Sequence, residues 1–221
     1  PTLPDPTTVQ DAARVMEEYG LFGKLPEVIR AKFARRHSSL PETPKANHPA
    51  FARSHFQLLL GMRDLFHYAH RFAEASGFVT VCDNSTDDWP FGNAADMLLE
   101  RLLILKKQHP ARPVCLLADG ELSCPVTGDG LGGRNSAFVL YCLEKIARQG
   151  IAVLSGGTDG IDGNSPAAGS VADGESMARA HALGMDPADY FRRSDAYTFF
   201  HKLGDALETG PTGNNLRDLR V

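Results

Sequence analysis

Much that would assign this sequence to a class at sight is missing. No run is long and apolar enough to cross a membrane, and no secretory signal opens the chain, so the expected location is the cytoplasm. Basic residues show no excess: 23 lysines and arginines stand against 27 acids, which argues against general affinity for nucleic acid or a membrane surface. The four cysteines, Cys82, Cys115, Cys124 and Cys142, form no CxxC and no zinc spacing. Three sit in apolar runs and read as buried free thiols of a reducing compartment. There is no G-x-S-x-G and no H-E-x-x-H. His48, His55, His67 and His70 make no ligand set with nearby cysteines or carboxylates. Internal repeats and low-complexity tracts are also absent. The chain begins at Pro1 without a methionine, which marks either a processed start or a piece of a longer protein.

What remains is an ordinary globular composition, 43% hydrophobic and 23% charged over 221 residues, enough for a sizeable core in one or two domains. "DPTTVQDAARVMEEYG" reads as a helix capped by Thr8 with Asp11 as reciprocal partner and Gly20 after its last turn. A second helix spans Leu25 to about Arg36, with Pro26 in its first turn. "SSLPETPKANHP" is a loop or hinge. The chain then alternates. "HFQLLLG" is a strand candidate, "MRDLFHYAHRFAEASG" a helix ending on Gly77, and "FVTVC" a strand. Phe91 to about Gln108 is a helix. "PVCLLA" is a buried-type strand, "ELSCPVT" a shorter strand, "NSAFVLYCLEKIARQG" a helix and "IAVLSGG" another buried strand. Such alternation predicts an α/β fold, a largely parallel sheet with flanking helices. "TDGIDGNSPAAGSVADG" reads as one long loop. Helices are expected around Glu175–Leu183 and Asp195–Leu203, the latter capped by Ser194, with a final strand at the end.

Three polar loops follow or join strands: Gly128–Asn135, Thr158–Gly169 and Thr209–Asn215. Ligands of open α/β sheets bind outside the carboxyl ends of the strands, so loops at that end converge on one site. In "TGDGLGGRNSAF", Gly128, Gly130 and Gly133 satisfy G-x-G-x-x-G, but the preceding run alternates and holds Pro125, unlike the first strand of a dinucleotide unit. Arg134 suggests another use. Gly130, Gly132 and Gly133 permit close backbone approach, the helix start supplies N–H donors, and the guanidinium adds a bidentate charged donor. That suits a phosphoryl group or a carboxylate substrate. A flexible glycine turn with a surface arginine explains the same letters. "GTDGIDG" sets Asp159 and Asp162 between glycines, as hard-oxygen ligands for Mg²⁺ or as two plain Asp-Gly turns. Thr158, Thr212, Asn214 and Asn215 offer hydroxyls and amides to a substrate, or simply make a turn.

Taken together these segments resemble the glycerate 2-kinase family, some of whose members carry the name hydroxypyruvate reductase. The resemblance rests on Gly120-Glu121, the run Gly128–Asn135, "SGGTDGIDG" at Ser155–Gly163, "AAG" at Ala167–Gly169, "TGPTGNN" at Thr209–Asn215 and the following "LRDL", in the order of the family's C-terminal MOFRL domain. "PTLPDPTT" is similar to a segment that lies mid-chain in full-length members. The resemblance implies the C-terminal portion of a two-domain α/β enzyme, with residues 1–110 ending the N-terminal kinase domain and 111–221 forming the MOFRL domain. It implies transfer of the γ-phosphoryl of ATP, with Mg²⁺, to D-glycerate, giving 2-phosphoglycerate. Glycerate and the nucleotide are then the small-molecule partners, and a homo-oligomer is left open. Arg134 matches the arginine placed on the phosphoryl group or the substrate carboxylate. Glu121, Asn135, Asp159, Asp162 and Asn215 match other polar motif positions. Ser136-Ala137 stand where Gln-Glu is usual, and Asn214 where threonine is usual. The family's N-terminal half, with its catalytic lysine, is absent, so little kinase activity is expected from this chain alone. An NAD(P)-dependent hydroxypyruvate reductase and a non-catalytic ligand-binding remnant are the competing readings.

Overall fold

A computed structural model describes residues 3–34 and 40–221 and divides the chain into two compact units, Pro1–Leu59 and Leu60–Val221. The first unit holds helices α1 (Val9–Glu18) and α2 (Glu27–Ala34). Thr8 caps α1 as its sequence indicates: its hydroxyl accepts the Asp11 N–H at 3.1 Å, and Asp11 Oδ2 accepts the Thr8 N–H at 2.9 Å. Gly20 takes the left-handed conformation after it, at φ +60°. The "PDPTT" segment is tied down by later residues, with Thr43 Oγ1 donating to Asp5 Oδ2 at 2.9 Å and Val9 N–H to Glu42 at 3.1 Å. The end of α2 expected at Arg36 lies outside the described residues.

The second unit is a six-stranded sheet flanked by helices. In chain order it comprises α3 (Met62–Ala75), β1 (Val79–Asp83), α4 (Phe91–Gln108), β2 (Val114–Asp119), α5 (Arg134–Ile146), β3 (Ala152–Gly157) and β4 (Gly169–Asp173). Then follow α6 (Ser176–Ala182), α7 (Pro187–Arg192), α8 (Ala196–Leu203), β5 (Ala206–Leu207) and β6 (Asp218–Arg220). The strand order is β1-β2-β6-β3-β4-β5. This unit includes β1 and α4, which precede the 110/111 boundary read from the sequence.

The sheet is mixed, and this corrects the expectation of a largely parallel one. Only β1 and β2 pair in parallel; the β2–β6, β6–β3, β3–β4 and β4–β5 pairs are all antiparallel. β1, β2 and β3 do run in one direction, with α4 and α5 as the crossover helices between them, as the alternation implies. The C-terminal strand then inserts between β2 and β3 in the opposite sense. β4 follows β3 without an intervening helix and so returns antiparallel.

Alternate residues of β2 serve the two faces. Leu116 and Ala118 join the main core with α4, α5, α7 and α8, where Val139, Leu143, Ile146, Phe199 and Phe200 are wholly buried. Burial of each such side chain contributes about 1.5–3 kcal/mol. Cys115 and Leu117 pack on the other face against Ala73, Phe66 and Ala69 of α3.

Two expected strands do not form. His55–Leu60 is irregular, with Phe56, Leu58 and Leu59 exposed and no strand beside it. Glu121–Thr127 makes a single bridge, Ser123 to Pro90, because Pro125 has no N–H to continue a ladder. Conversely, β4 lies inside the presumed long loop. Its Gly169 packs so tightly on β3 that a Cβ there would fall 1.9 Å from the Ser155 carbonyl. Helix α8 is capped at Asp195 rather than Ser194. Of the cysteines, Cys115 and Cys142 are buried, Cys124 is half-buried and Cys82 is exposed; all are free thiols.

Candidate active site

The carboxyl ends of β1, β2 and β3 and the amino end of β6 meet at one edge of the sheet, as their directions require. Charged side chains gather there. Arg134, first residue of α5, donates from Nε to Asp218 Oδ2 at 2.6 Å and from Nη2 to Asp218 Oδ1 at 3.1 Å. Its Nη2 also lies 3.4 Å from Glu121 Oε1. Asp218 is buried while Arg134 keeps about a third of its side chain exposed. The Asp218 carboxylate raises the guanidinium above its ordinary value. No protein partner is found for Nη1 among the described residues, so one edge of the fork stays open. Arg134 also lines a cleft of about 410 Å³ walled by Phe91, Tyr190, Phe191 and Cys124, within the size range of small-molecule sites.

Arg217 forms a second fork, gripping both oxygens of Asp87. Arg217 holds these contacts from φ +69°, a left-handed conformation uncommon outside glycine. Neighbours fix it: Thr158 Oγ1 donates to the Arg217 carbonyl at 2.7 Å, and Asn215 Oδ1 accepts the Arg217 N–H at 3.0 Å. The Arg217 guanidinium holds Asp87 below the usual carboxylate range. Asp87 in turn accepts the Glu121 N–H at 3.0 Å, which ties the β1, β2 and β6 loops together.

Beneath these lies a buried pair. Arg220 is 2% exposed and donates from Nη1 to the carbonyls of Asp119 (3.2 Å) and Gly120 (2.9 Å). Burial pushes its guanidinium down to about 10. Asp119 is 1% exposed, and neither of its carboxylate oxygens has a partner among the described residues. Burial pushes its carboxyl up, against the opposing pull of Arg217.

The glycine run is built differently from a phosphate cradle. Gly130 N–H donates to Arg193 O at 2.9 Å, Leu131 N–H to Asp195 Oδ1 at 3.0 Å and Gly132 N–H to Asn164 Oδ1 at 2.9 Å. A Cβ on Gly130 would lie 2.4 Å from that of Asp195, and one on Gly133 would lie 2.3 Å from Asp162 Oδ1. The glycines serve close packing onto the α7–α8 turn and the Asp162 loop. The start of α5 does hold an anion, and that anion is the protein's own: Asp162 accepts the N–H groups of Asn135 (2.9 Å) and Ser136 (2.8 Å). Such a carboxylate offsets the positive end of the helix dipole. Burial nevertheless pushes Asp162 up, against those backbone donors.

Residues 114–218 match the MOFRL family. This chain carries a MOFRL-family domain. Over its whole length the chain is 33% identical to D-glycerate 2-kinase of Thermotoga maritima and 32% identical to a putative hydroxypyruvate reductase of Agrobacterium vitis, covering 51% and 50% of those proteins. A crystal structure of glycerate kinase from Thermotoga maritima superposes with a TM-score of 0.76 at 30% identity, over 98% of this chain and 50% of that one. The chain thus spans about half the length of the curated relatives it matches.

The MOFRL domain brings together only some of the residues singled out from the sequence. Arg134 and Glu121 meet through the 3.4 Å contact. Asn135 is buried, its side-chain oxygen accepting from Ser155 Oγ at 2.6 Å. Thr158, Thr212 and Asn215 form one brace: Thr212 Oγ1 donates to the Thr158 carbonyl at 2.6 Å, and Thr158 Oγ1 accepts the Leu216 N–H at 2.7 Å. Asp159 approaches the cluster across Gly157, where a Cβ would lie 2.9 Å from Asp159 Oδ1 and 3.4 Å from Asp218 Oδ1. Asp159 and Asp162 do not converge. Asp159 Oδ1 closes a turn with the Ile161 N–H at 3.0 Å, while both Asp162 oxygens face α5. Ser136, at the motif departure, is buried and accepts from Ser170 Oγ at 2.9 Å. Sequence reasoning missed Asp87, Asp119, Arg217, Asp218 and Arg220. Three of these lie in "LRDLR", whose alternation of charges in an apolar strand was the available signal.

Proposed function

We propose that this chain supplies the MOFRL-containing half of a D-glycerate 2-kinase, which transfers a phosphoryl group from ATP to glycerate and yields 2-phosphoglycerate. One observation carries the reading. Asp218 holds Arg134 by Nε and Nη2, Nη1 has no protein partner among the described residues, and Arg134 lines a cleft of about 410 Å³. A fixed guanidinium with a free edge suits a carboxylate or a phosphoryl group in transfer, where positioning and charge stabilisation dominate catalysis. The whole-length similarity to proteins named glycerate kinase supports the same reaction. Arg134 would bind and orient the anionic group. Asp218 would keep the guanidinium in place, and the Asp87–Arg217 pair with Thr158, Thr212 and Asn215 would keep the loops in place.

The residues here fit neither a triphosphate cradle nor a Mg²⁺ cage. The N–H groups of Gly130, Leu131, Gly132, Asn135 and Ser136 are spent internally, and among the described residues no three His, Cys, Asp or Glu side chains stand close enough to hold a metal. ATP and Mg²⁺ belong to the proposed reaction. The same spent N–H groups, with no strand leading into them, disfavour NAD(P) binding at the glycine run.

The test compares two reactions on the chain alone and joined to the remaining half of the Thermotoga maritima relative. ATP-dependent phosphorylation of D-glycerate, with the product identified as the 2-phosphate, is the expected outcome in the joined protein. NADH oxidation with hydroxypyruvate in the absence of that phosphorylation overturns the proposal.

A further inference from the structure

The cleft beside Arg134 is larger and more apolar than a three-carbon acid requires. Its volume of about 410 Å³ equals the share of about fourteen water molecules at roughly 30 Å³ each. Leu122 and Leu140 are buried in its lining, and Phe91 and Phe191 form an aromatic wall. The two rings stand 5.8 Å apart, tilted by 56°, and Phe191 keeps 37% of its surface exposed. The polar side chains of the lining are already engaged. Asn164 accepts the Gly132 N–H at 2.9 Å and donates to the Gly130 carbonyl at 3.1 Å. Asp195 accepts from the Leu131 N–H, Thr198 Oγ1 and Arg193 Nη1. Thr127 Oγ1 donates to the Arg192 carbonyl at 3.1 Å, and Ser194 Oγ accepts the Thr127 N–H at 2.9 Å. Burial pushes the Cys124 thiol up, which keeps it neutral. Against these, Nη1 of Arg134 has no protein partner among the described residues.

We propose, on the reading of Arg134 as the holder of an anionic substrate group, that this cleft binds monocarboxylates that carry an aryl group. The carboxylate accepts from Nη1 of Arg134, and the ring lies against Phe91 and Phe191. Three features select this class. A ligand rich in hydroxyls gives up hydrogen bonds to water on entering the cleft and finds the side chains named above already bonded. An aryl body has none to give up, and it meets the wall in the offset or edge-on geometry that aromatic pairs prefer. Charge sets the other end. Asp218 already binds the guanidinium, and Glu121 lies 3.4 Å from it. A singly charged carboxylate is therefore opposed less there than a doubly charged phosphate. Arg134 keeps about a third of its side chain exposed, so the ion pair alone is weak, and burial of the ring supplies the remaining affinity.

The test titrates the 221-residue chain with 3-phenylpropionate by calorimetry. Two controls accompany it: 3-phenylpropanol keeps the ring and lacks the charge, and D-glycerate keeps the charge and lacks the ring. A Kd of about 1 mM or tighter is expected for 3-phenylpropionate, with binding at least about tenfold weaker for each control. Ala137 lines the cleft, and Ala137→Phe is expected to weaken 3-phenylpropionate by at least about tenfold by filling it. Affinity for 3-phenylpropionate no higher than for either control overturns the proposal, and so does unchanged affinity in a folded Ala137→Phe protein. Binding is read on the chain alone and does not depend on phosphoryl transfer. Tight 3-phenylpropionate binding without glycerate phosphorylation in the joined protein keeps this site and removes the kinase reading. Phosphorylation that Arg134→Ala abolishes, without 3-phenylpropionate binding, removes this site and keeps the kinase reading.

Discussion

Replacement of Asp162 by alanine tests the part of the site most easily mistaken for a phosphate loop. The carboxylate is 1% exposed and accepts two backbone N–H groups from the first turn of α5, at 2.9 and 2.8 Å. Alanine leaves both donors buried without a partner, at about 1–3 kcal/mol each, and removes the negative charge from the helix start, worth about 0.3–2 kcal/mol. Relief from burying a charge offsets part of this, since burial already pushes the carboxyl up. The net loss is about 2–4 kcal/mol. At about 2–4 °C per kcal/mol for a domain of this size, Tm falls by roughly 4–16 °C in a circular-dichroism melt, and amide exchange at Asn135 and Ser136 accelerates. The pH dependence adds a second reading. A carboxyl whose folded pKa is raised binds its proton more tightly in the folded state, so stability declines as pH rises from 3.8 through the raised value. Asp162→Asn keeps one acceptor oxygen and lacks that decline. A wild-type melt for Asp162→Ala, with Asn135 and Ser136 still protected, would refute the assignment of Asp162 as the cap.

Gly130→Ala sets a methyl 2.4 Å from the Asp195 Cβ, so the loop must shift; a loss of about 1–3 kcal/mol is expected by chemical denaturation, together with new protease cutting near Thr127. Asp119→Asn removes another carboxyl whose pKa burial raises; the wild-type decline in stability as pH rises from 3.8 through the raised value becomes shallower, as measured by urea unfolding at a series of pH values. Arg217→Ala frees Asp87 and removes the side chain that holds a left-handed backbone position; it is expected to loosen residues 209–216, read as faster amide exchange there while β3 and α5 stay protected.

The sequence carries its helices more openly than its strands. The helix read from Phe91 to about Gln108 forms over Phe91–Gln108, after Pro90 at its start. "PVCLLA" and "IAVLSGG" are legible as buried apolar runs. β4 is not, and of β6 only a final strand is legible, not its place between β2 and β3. "DLR" places a buried aspartate and arginine in the middle of a sheet, where they are held by Arg134, by each other and by the carbonyls of Asp119 and Gly120. β4 is written in glycine, serine and alanine because its backbone presses against β3. Glu121 and Arg134 were both in view from the sequence, but Asp218, which decides how Arg134 is aimed, was hidden 84 residues away in the chain. The Gly-rich letters suited an anion at the start of α5 or a plain glycine turn; the fold shows that an anion sits there and that it is Asp162.

The central claim is that Arg134 presents its free edge to an anionic substrate group. It is tested most directly by kcat/KM for ATP-dependent glycerate phosphorylation in the joined protein, wild type against Arg134→Ala, with Tm followed beside it. A loss of about 10²–10³-fold is expected, only partly restored by Arg134→Lys, which keeps the charge but not the fork. Phosphorylation within about threefold of wild type in a folded Arg134→Ala protein, where that loss is expected, would contradict the account.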